Sequence, residues 1–203
     1  MIKDFDLLQR ANNDYTTIDL EHAEELAYRE LIDSIRYISL GDECGVMGNI
    51  ANIITYKGRF YIQEEQFDRV FIYDDTGRCL KKIDNKGRGP GEYLRIESID
   101  INTEKEELML VDGMSDKLFF YDLGGNFKSI HSIRYFQTEN TLCLRDSVFL
   151  HISAPSQNFG NEGLYGYALV LSKGNENFLK GYRYLPLQVG YKGGGQIFKG
   201  YER

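Results

Sequence analysis

"FYIQEEQFDRVFIYDDTGRCLKKI", residues 60–83, lies over "LMLVDGMSDKLFFYDLGGNFKSIH", residues 108–131, at a constant offset of 48 with no gap. Phe60 falls on Leu108, Ile62 on Leu110, Glu64 on Asp112, Asp68 on Asp116, Arg69 on Lys117, Phe71 on Phe119, Tyr73 on Tyr121, Asp74 on Asp122 and Gly77 on Gly125. Matches this dense at one offset mark a duplicated structural unit. Helical repeats of similar length, about 40 to 50 residues, would carry their apolar residues at a period of 3.6; here the period is 2.

A repeat of that length built from four short strands is the signature of a propeller blade, a four-stranded antiparallel meander. In the first unit strands are predicted at 50–56, 59–64, 69–73 and 79–83, separated by "KGR", "EEQFD" and "DDTG"; in the second they fall near 96–101, 107–111, 117–121 and 126–131. "DDTG" and "DLGG" each open on Asp and close on Gly, where a hairpin turn calls for positive φ. A third, looser unit follows. "TLCLRDSVFLHIS" gives two strands around a turn at Arg145, Asp146 and Ser147, and "YGYALVLSKGNENFLKGY" gives two more around "SKGN".

Between those pairs "APSQNFGNEGL", residues 154–164, is polar and glycine-bearing and reads as a surface loop inserted in the third blade. Long loops on a rigid scaffold are where recognition concentrates, which makes Gln157, Asn158, Asn161 and Glu162 the candidate binding residues; a merely tolerated insertion would have the same composition. The fold class expected is all-β: propeller blades forming a partial or half propeller, with a short N-terminal helix. Residues 1–40 form a leader, 41–190 hold about three blades (approximately 44–83, 84–131 and 132–185), and 191–203 form a flexible tail. In the leader "YTTIDL" (15–20) and "IRYISL" (35–40) read as strands, and "EHAEELAYRELID" between them carries Ala23, Leu26, Ala27 and Leu31 at helical spacing. The tail "GYKGGGQIFKGYER" shows no clear strand pair and is expected to be mobile.

Composition agrees with a globular β-rich chain. Of 203 residues 42% are apolar and 13% aromatic, and 15 Tyr, 12 Phe and 21 Gly with three Pro and no Trp suit short strands and tight turns. The net charge of -7, without a long Lys/Arg block, repels a phosphate backbone, so nucleic acid is not an expected partner. No apolar run approaches the roughly 20 residues of a bilayer span, and "MIKDFDLLQR" lacks the pattern of a secretory signal. Cys44, Cys79 and Cys143 are an odd count at wide spacing, with no C-x-x-C pair and no neighbouring histidine. No zinc site is expected of them. They read as buried small hydrophobes, one partly exposed, and a single disulfide cannot be argued from spacing.

"IRYISLGDECGVMGNIANIITYKGRFYI", "VFIYDDTGRCLKKIDNKGRGPGEY" and "ELMLVDGMSDKLFFYDLGGNFKSI" together resemble the six-bladed β-propeller proteins of bacterial envelopes, often lipoproteins of unknown function and similar to NHL-repeat propellers. The likeness covers roughly residues 15–185 and is most specific at 69–125, where a strand ending in Tyr-Asp, a Gly turn, a last strand and Gly-x-Gly-Pro-Gly-Glu-Tyr lead into the next blade. It implies a bacterial envelope or periplasmic location. The chain departs from that pattern in stopping after about three blades and in lacking an export signal and lipid-attachment Cys, which is the pattern of a fragment, a truncated product or a half-ring.

"GRGPGEY", residues 87–93, raises the alternative of a phosphate cradle. A P-loop needs Gly-Lys-Ser/Thr running into a helix, and a dinucleotide fingerprint needs a helix after its third Gly. Here "EYLRIESIDI" follows and reads as strand. Gly87, Gly89, Pro90, Gly91, Glu92 and Tyr93 are therefore assigned to a structural crossing from one blade's outer edge to the next blade's inner strand, stiffened by Pro90 and anchored by Tyr93. No cofactor is expected.

The histidines and the recurring acids are the chain's candidate catalytic groups. His22, His131 and His151 are far apart, although His131 and His151 could meet near the third blade; no metal site is expected from their spacing. Glu64/Asp112 and Asp68/Asp116 recur with the blade and so read as servants of the turn between second and third strands, whereas a catalytic carboxylate pair should break the repeat. No G-x-S-x-G elbow or Ser/His/Asp order occurs.

The leading expectation is a non-enzymatic binding module that holds a protein or glycan on its loop-bearing face. One alternative is a propeller lyase or hydrolase whose metal ligands lie partly in blades beyond this chain; the other is a truncated structural remnant. Three blades fall short of the about four to eight that close a ring. A homodimer of two half-rings would supply six.

Overall fold

The computed structural model describes residues 32–133, 138, 140–145, 147–152, 167–174, 177–183, 188–192 and 195–199. Fourteen strands occur among them. β1 (Ile50–Tyr56), β2 (Arg59–Glu64), β3 (Arg69–Asp74) and β4 (Cys79–Ile83) form blade 1; β5 (Ser98–Asn102), β6 (Glu107–Asp112), β7 (Lys117–Asp122) and β8 (Phe127–Ser132) form blade 2. Blade 3 comprises β9 (Asn140–Cys143), β10 (Val148–Ile152), β11 (Tyr167–Lys173) and β12 (Asn177–Arg183), and β13 (Gln188–Lys192) pairs with β14 (Gly195–Lys199). Every pairing is antiparallel between consecutive strands, so each four-stranded sheet is a simple meander. β1 lies beside β5 and β5 beside β9, so the first strands of the blades are neighbours while their outer strands fan away.

The two copies seen in the sequence fold alike down to their irregularities. Phe60 faces Tyr73 and Ile62 faces Phe71 in blade 1, as Leu108 faces Tyr121 and Leu110 faces Phe119 in blade 2. The third-to-fourth-strand ladder slips by one residue at Ile72/Tyr73 and again at Phe120/Tyr121. Asp68 and Asp116 share a left-handed φ of 56° and 53°, and Gly77 and Gly125 one of 89° and 82°.

Alternation explains the packing. Residues two apart on a strand point to the same face, so β6 and β7 split into two sets. Leu108, Leu110, Phe119 and Tyr121 join Tyr61, Val70, Ile72 and Ile83 of blade 1 in one core, with Tyr93 and Ile99. Met109, Val111, Leu118 and Phe120 join Phe149 and Val170 of blade 3 in a second. "ELMLVD" and "KLFFYD" are nearly continuous apolar runs because both faces of blade 2 are covered.

Among the described residues blade 1 has a neighbouring blade on one side. Its other face presents Phe60, Ile62, Phe71 and Tyr73, the counterparts of the four residues that blade 2 turns toward blade 1, and these pack against Cys44, Met47 and Cys79. The segment 36–49 thus stands on blade 1 where blade 1 stands on blade 2. The paired glycines show the substitution directly: a Cβ on Gly125 would meet Ile72 and Lys81 of blade 1 at 2.9 Å, whereas one on Gly77 would run into the carbonyl of Ser39. Gly41 N–H donates to Gly77 C=O (2.8 Å), the Tyr73 hydroxyl donates to Gly41 C=O (3.2 Å), the Arg36 guanidinium donates to Asp75 C=O (2.6 Å), and a Cys44–Cys79 disulfide fixes the segment covalently.

Three expectations are corrected here. Residues 35–40 form no strand: Arg36 and Gly41 bond to the carbonyls of Asp75 and Gly77 in the β3–β4 turn while Ile35, Tyr37 and Leu40 stay exposed, so a turn and not a sheet edge is their neighbour. Cys44 and Cys79 are bonded to each other, with Cys143 left as a half-buried thiol. The tail expected to lack a strand pair takes part in one, β13 pairing antiparallel with β14 from Gln188↔Lys199 to Lys192↔Gly195. The strand expected at 15–20, the helix carrying Ala23 to Leu31 and the loop 154–164 lie outside the described residues.

Reduction, or the double substitution Cys44→Ser with Cys79→Ser, should lower unfolding stability by about 2–4 kcal/mol, as expected for a loop spanning 35 residues of sequence. Denaturant titration with and without a thiol reductant measures the loss, and hydrogen exchange should show it first in β2 and β3.

Candidate functional site

The ladders fix which groups share an end of the blades. Ile50 pairs with Glu64 and Val70 with Ile83, so the start of β1, the β2–β3 turn and the end of β4 lie together. The chain from β4 to β5, residues 84–97, crosses this end from outer to inner strand. A groove of about 400 Å³ opens there between blades 1 and 2, its wall formed by Asn49, Gln63, Glu65, Gln66, Arg95 and Glu97 and its apolar part by Ala51 and Ile96.

Some of these side chains are structural. Gln63 is buried, and its amide donates to the carbonyls of Ile96 (3.0 Å) and Glu97 (3.3 Å), holding the crossing to blade 1. The Arg95 guanidinium lies 3.3 Å from the Glu97 carboxylate. The Asn49, Glu65 and Gln66 side chains are exposed and bond to no other group among the described residues. Outside the groove lining, Phe67 of the β2–β3 turn is 52% exposed with the Arg69 guanidinium 4.6 Å from its ring centre, and Met114 of the blade 2 turn is 65% exposed.

The glycine crossing is internally satisfied. Gly87 N–H donates to Tyr93 C=O (2.9 Å), Tyr93 N–H to Asn85 C=O (3.2 Å), and Gly89 N–H to the Glu92 carboxylate (2.7 Å). Gly91 holds φ 83°, a conformation that calls for glycine, and Gly87 leaves room for that carboxylate to lie close against its backbone. Pro90 lies between them in the chain. Tyr93 is fully buried, edge-on to Phe119, with its hydroxyl donating to Asp68 C=O (2.8 Å) and accepting from Asn85 N–H (3.2 Å); burial pushes its pKa well above the ordinary phenol range. The anion that fills this nest of glycines is the chain's own Glu92.

Of the recurring acids, Glu64 and Asp112 serve their turns as expected, whereas the Asp68 side chain bonds to the crossing and Asp116 leaves Oδ1 without a hydrogen-bond partner among the described residues. Buried Glu64 accepts from Gln66 N–H and from Arg69 (2.9 Å), and buried Asp112 accepts four bonds, from Met114 N–H, Ser115 N–H, the Ser115 hydroxyl and Leu94 N–H. Asp68 accepts from Ile96 N–H (3.1 Å) and pairs with Lys86. Burial, helped by the charge of Asp112, pushes the Asp116 pKa up.

His131 and His151 do come together: both line a cavity of about 10 Å³ between blades 2 and 3, with Ser172 and Ile133. His151 is 2% exposed, with Nδ1 2.9 Å from the Thr141 hydroxyl and Nε2 2.8 Å from the Ser172 hydroxyl; burial depresses its pKa to about 4. Among the described residues no three His, Cys, Asp or Glu side chains converge as metal ligands. Gln157, Asn158, Asn161 and Glu162 lie outside the described residues. The groove residues were missed in the sequence although a signal exists: Gln63, Glu65 and Gln66 fall on Val111, Gly113 and Met114, and so break the repeat that Glu64 and Asp68 keep.

Three meanders of one kind, packed face to face with their first strands side by side, define an all-β protein of propeller blades. The chain belongs to the DUF4934 family, a domain of unknown function whose profile matches residues 15–194. In structure it is similar to a Bacteroides fragilis protein described as exported, with a TM-score of 0.67 and 19% identity over 78% of this chain and 44% of that one. It therefore spans less than half of that protein's length. Weaker likenesses are to the WD40 repeats of RRP9 (TM-score 0.46, 10% identity, 66% of this chain and 38% of that one) and to YCF48 bound to D1 peptide (TM-score 0.44, 15% identity, 78% and 48%). No curated protein sequence matches the chain.

The pH dependence of stability follows from His151. A histidine held neutral by burial stabilises fully above the unfolded pKa of about 6.5 and loses that contribution as pH falls toward about 4, since the unfolded chain then binds the proton that the folded one refuses. Between pH 7.5 and 5 the loss should be about 2 kcal/mol. Asp100 and Asp116, whose pKa values burial raises, act in the opposite sense, so the diagnostic quantity is the difference between the wild type and His151→Asn. Denaturant midpoints should fall less steeply with acid in the variant; equal slopes would remove His151 from the account.

Proposed function

We propose that the chain is a non-enzymatic binding module of the propeller type that works outside the cytoplasm and holds a protein or glycan at the end of the blades bearing the groove. The observation that carries this reading is the exposure of Glu65 and Gln66, two positions that do not follow the repeat, on the wall of an open polar groove. Residues 87–93 are scaffold in this reading, their glycines serving the crossing. The Cys44–Cys79 disulfide supports an oxidising compartment, in keeping with the envelope location that the sequence resemblance implies.

A six-bladed, NHL-like ring is the proposed assembly, with these three blades as one half and a second copy as the other. Ile53 supports it: it pairs with Ile62 as Ile99 pairs with Leu110, yet Ile99 is 2% exposed against blade 1 and Ile53 is 51% exposed beyond the edge of the 36–49 segment. The inner strand of blade 1 thus retains the apolar position that a further blade covers elsewhere.

Two measurements test these statements. Arrayed peptides and oligosaccharides should yield a ligand whose binding is lost in the Glu65→Ala, Gln66→Ala double variant; a ligand unaffected by that change, or none, overturns the groove assignment. Light scattering at micromolar concentration should give twice the 23.5 kDa chain mass, and a monomer throughout would discard the half-ring dimer.

A further inference from the structure

We infer that the leucine face of blade 3 in one copy of the chain packs on the 36–49 segment and on Ile50 and Ile53 of a second copy, with the basic β9–β10 and β11–β12 turns of the one against the acidic β3–β4 end of the other. This rests on the half-ring dimer proposed above and assigns its contact surfaces. In the ladders of blade 3, Leu150 stands opposite both Leu142 and Leu171, and Ile152 opposite Leu169, so these residues share one face. It is the face turned away from Phe149 and Val170, which pack against blade 2. The corresponding face is buried where another blade follows: Val70 and Ile72 of blade 1 lie under blade 2, and Leu118 and Phe120 of blade 2 under blade 3. In blade 3, Leu142 is exposed and Leu150 and Leu171 are half-buried. At the other end of the stack Tyr37 and Val46 of the segment are exposed, as are Ile50 and Ile53, which stand opposite Glu64 and Ile62 in β2.

Charge selects the pairing. Arg59 faces Asp74 in blade 1 and Val148 faces Lys173 in blade 3, so the β3–β4 and β11–β12 turns lie at the same end of their meanders, with the first turn of each blade. At that end blade 1 gathers Asp42, Glu43 and Asp75: Gly41 N–H donates to Gly77 C=O, and Cys79 N–H to the Glu43 carboxylate (3.3 Å). The cations there are engaged, Arg36 with Asp75 C=O and Arg78 with the Asp74 carboxylate. Blade 3 presents exposed Arg145 and Lys173 at this end and carries no Asp or Glu among its described residues. Blades 1 and 2 already join in this sense, Lys57 of the leading blade's first turn pairing with Glu106 of the following blade, and Arg145 lies in the first turn of blade 3. Two uncovered ends that complement each other on one chain suit a second copy, and two copies supply six blades, within the about four to eight that close a ring.

Light scattering of the full chain over a concentration series tests the contact. Arg145→Glu with Lys173→Glu should raise the dimer dissociation constant at least tenfold, because each reversal is felt at both interfaces of the ring, and Asp42→Lys with Asp75→Lys should do the same. All four substitutions together should restore it, since each reversed end then meets a reversed partner. The four positions are exposed, so circular dichroism melts should coincide with the wild type. Raising salt from about 0.05 to 0.5 M should loosen the wild-type dimer by screening the same charges. A dimer indifferent to both pairs of reversals, or weakened by each and not restored by their combination, overturns this interface and leaves the half-ring dimer standing; a monomer at every concentration overturns both.

Discussion

The contact on which the structure depends is the face-to-face packing of one sheet on the next through alternate residues of β2/β3 and β6/β7. A four-stranded meander has two faces and cannot bury either by itself, so its stability is borrowed from neighbours on both sides. Blade 2 has them: Leu110 and Phe119 look one way, Val111 and Phe120 the other, and all four are buried. Each such side chain contributes about 1.5–3 kcal/mol when fully removed from water, so a blade left open on one face loses several contributions of that size together. The repeat exists because the same interface must be made again at every step, and terminal units need a different solution.

Blade 1 covers its second face with a different partner. The 36–49 segment lays Cys44 and Met47 on Ile62, Phe71 and Tyr73, and the disulfide compensates for what a single extended segment cannot supply in buried area. The glycine at the third-to-fourth-strand turn is doubly constrained, by its left-handed φ and by whatever crosses above it: Ser39 over Gly77, Ile72 and Lys81 over Gly125. Two unrelated pieces of chain thus impose one requirement.

What could be read in the sequence was what neighbours in the chain determine. Strand positions in blades 1 and 2 follow from alternation, and the Asp-to-Gly turns from local hydrogen bonding: Asp74 accepts from Thr76 and Arg78 N–H, Asp122 from Gly124 and Asn126 N–H. What distance in space determines was hidden. "IRYISL" alternates as a strand does, but what it meets is the β3–β4 turn and not a sheet edge. Cys44 and Cys79 show no motif, since their proximity depends on the segment folding back over blade 1. The pairing of β13 with β14 was obscured by glycines that weaken the strand pattern. The groove is assembled from three separate stretches, Asn49–Ala51, Gln63–Asp68 and Arg95–Glu97, and no single window displays it; the third-blade loop, being continuous, drew attention instead.

The ionisable groups separate scaffold from surface. His151 is bonded at both ring nitrogens and held neutral; the Cys143 thiol is pushed up to about 11 by burial and by the Asp100 charge, which leaves almost no thiolate near neutral pH; Asp112 has every lone-pair direction occupied. Each is a group whose reactivity the fold has spent on holding strands and turns in place. The exposed amides of Asn49 and Gln66 differ in kind, since they cannot titrate and are weak nucleophiles, and what they can do at neutral pH is form directional hydrogen bonds. They stand beside a crossing clamped by Gln63 and by Tyr93, so the backbone beneath them is fixed before any ligand arrives. A rigid frame under short polar side chains keeps the ordering cost of association small. That is the arrangement recognition needs, and it makes no demand on the buried acids and histidines that a hydrolytic mechanism would have to free.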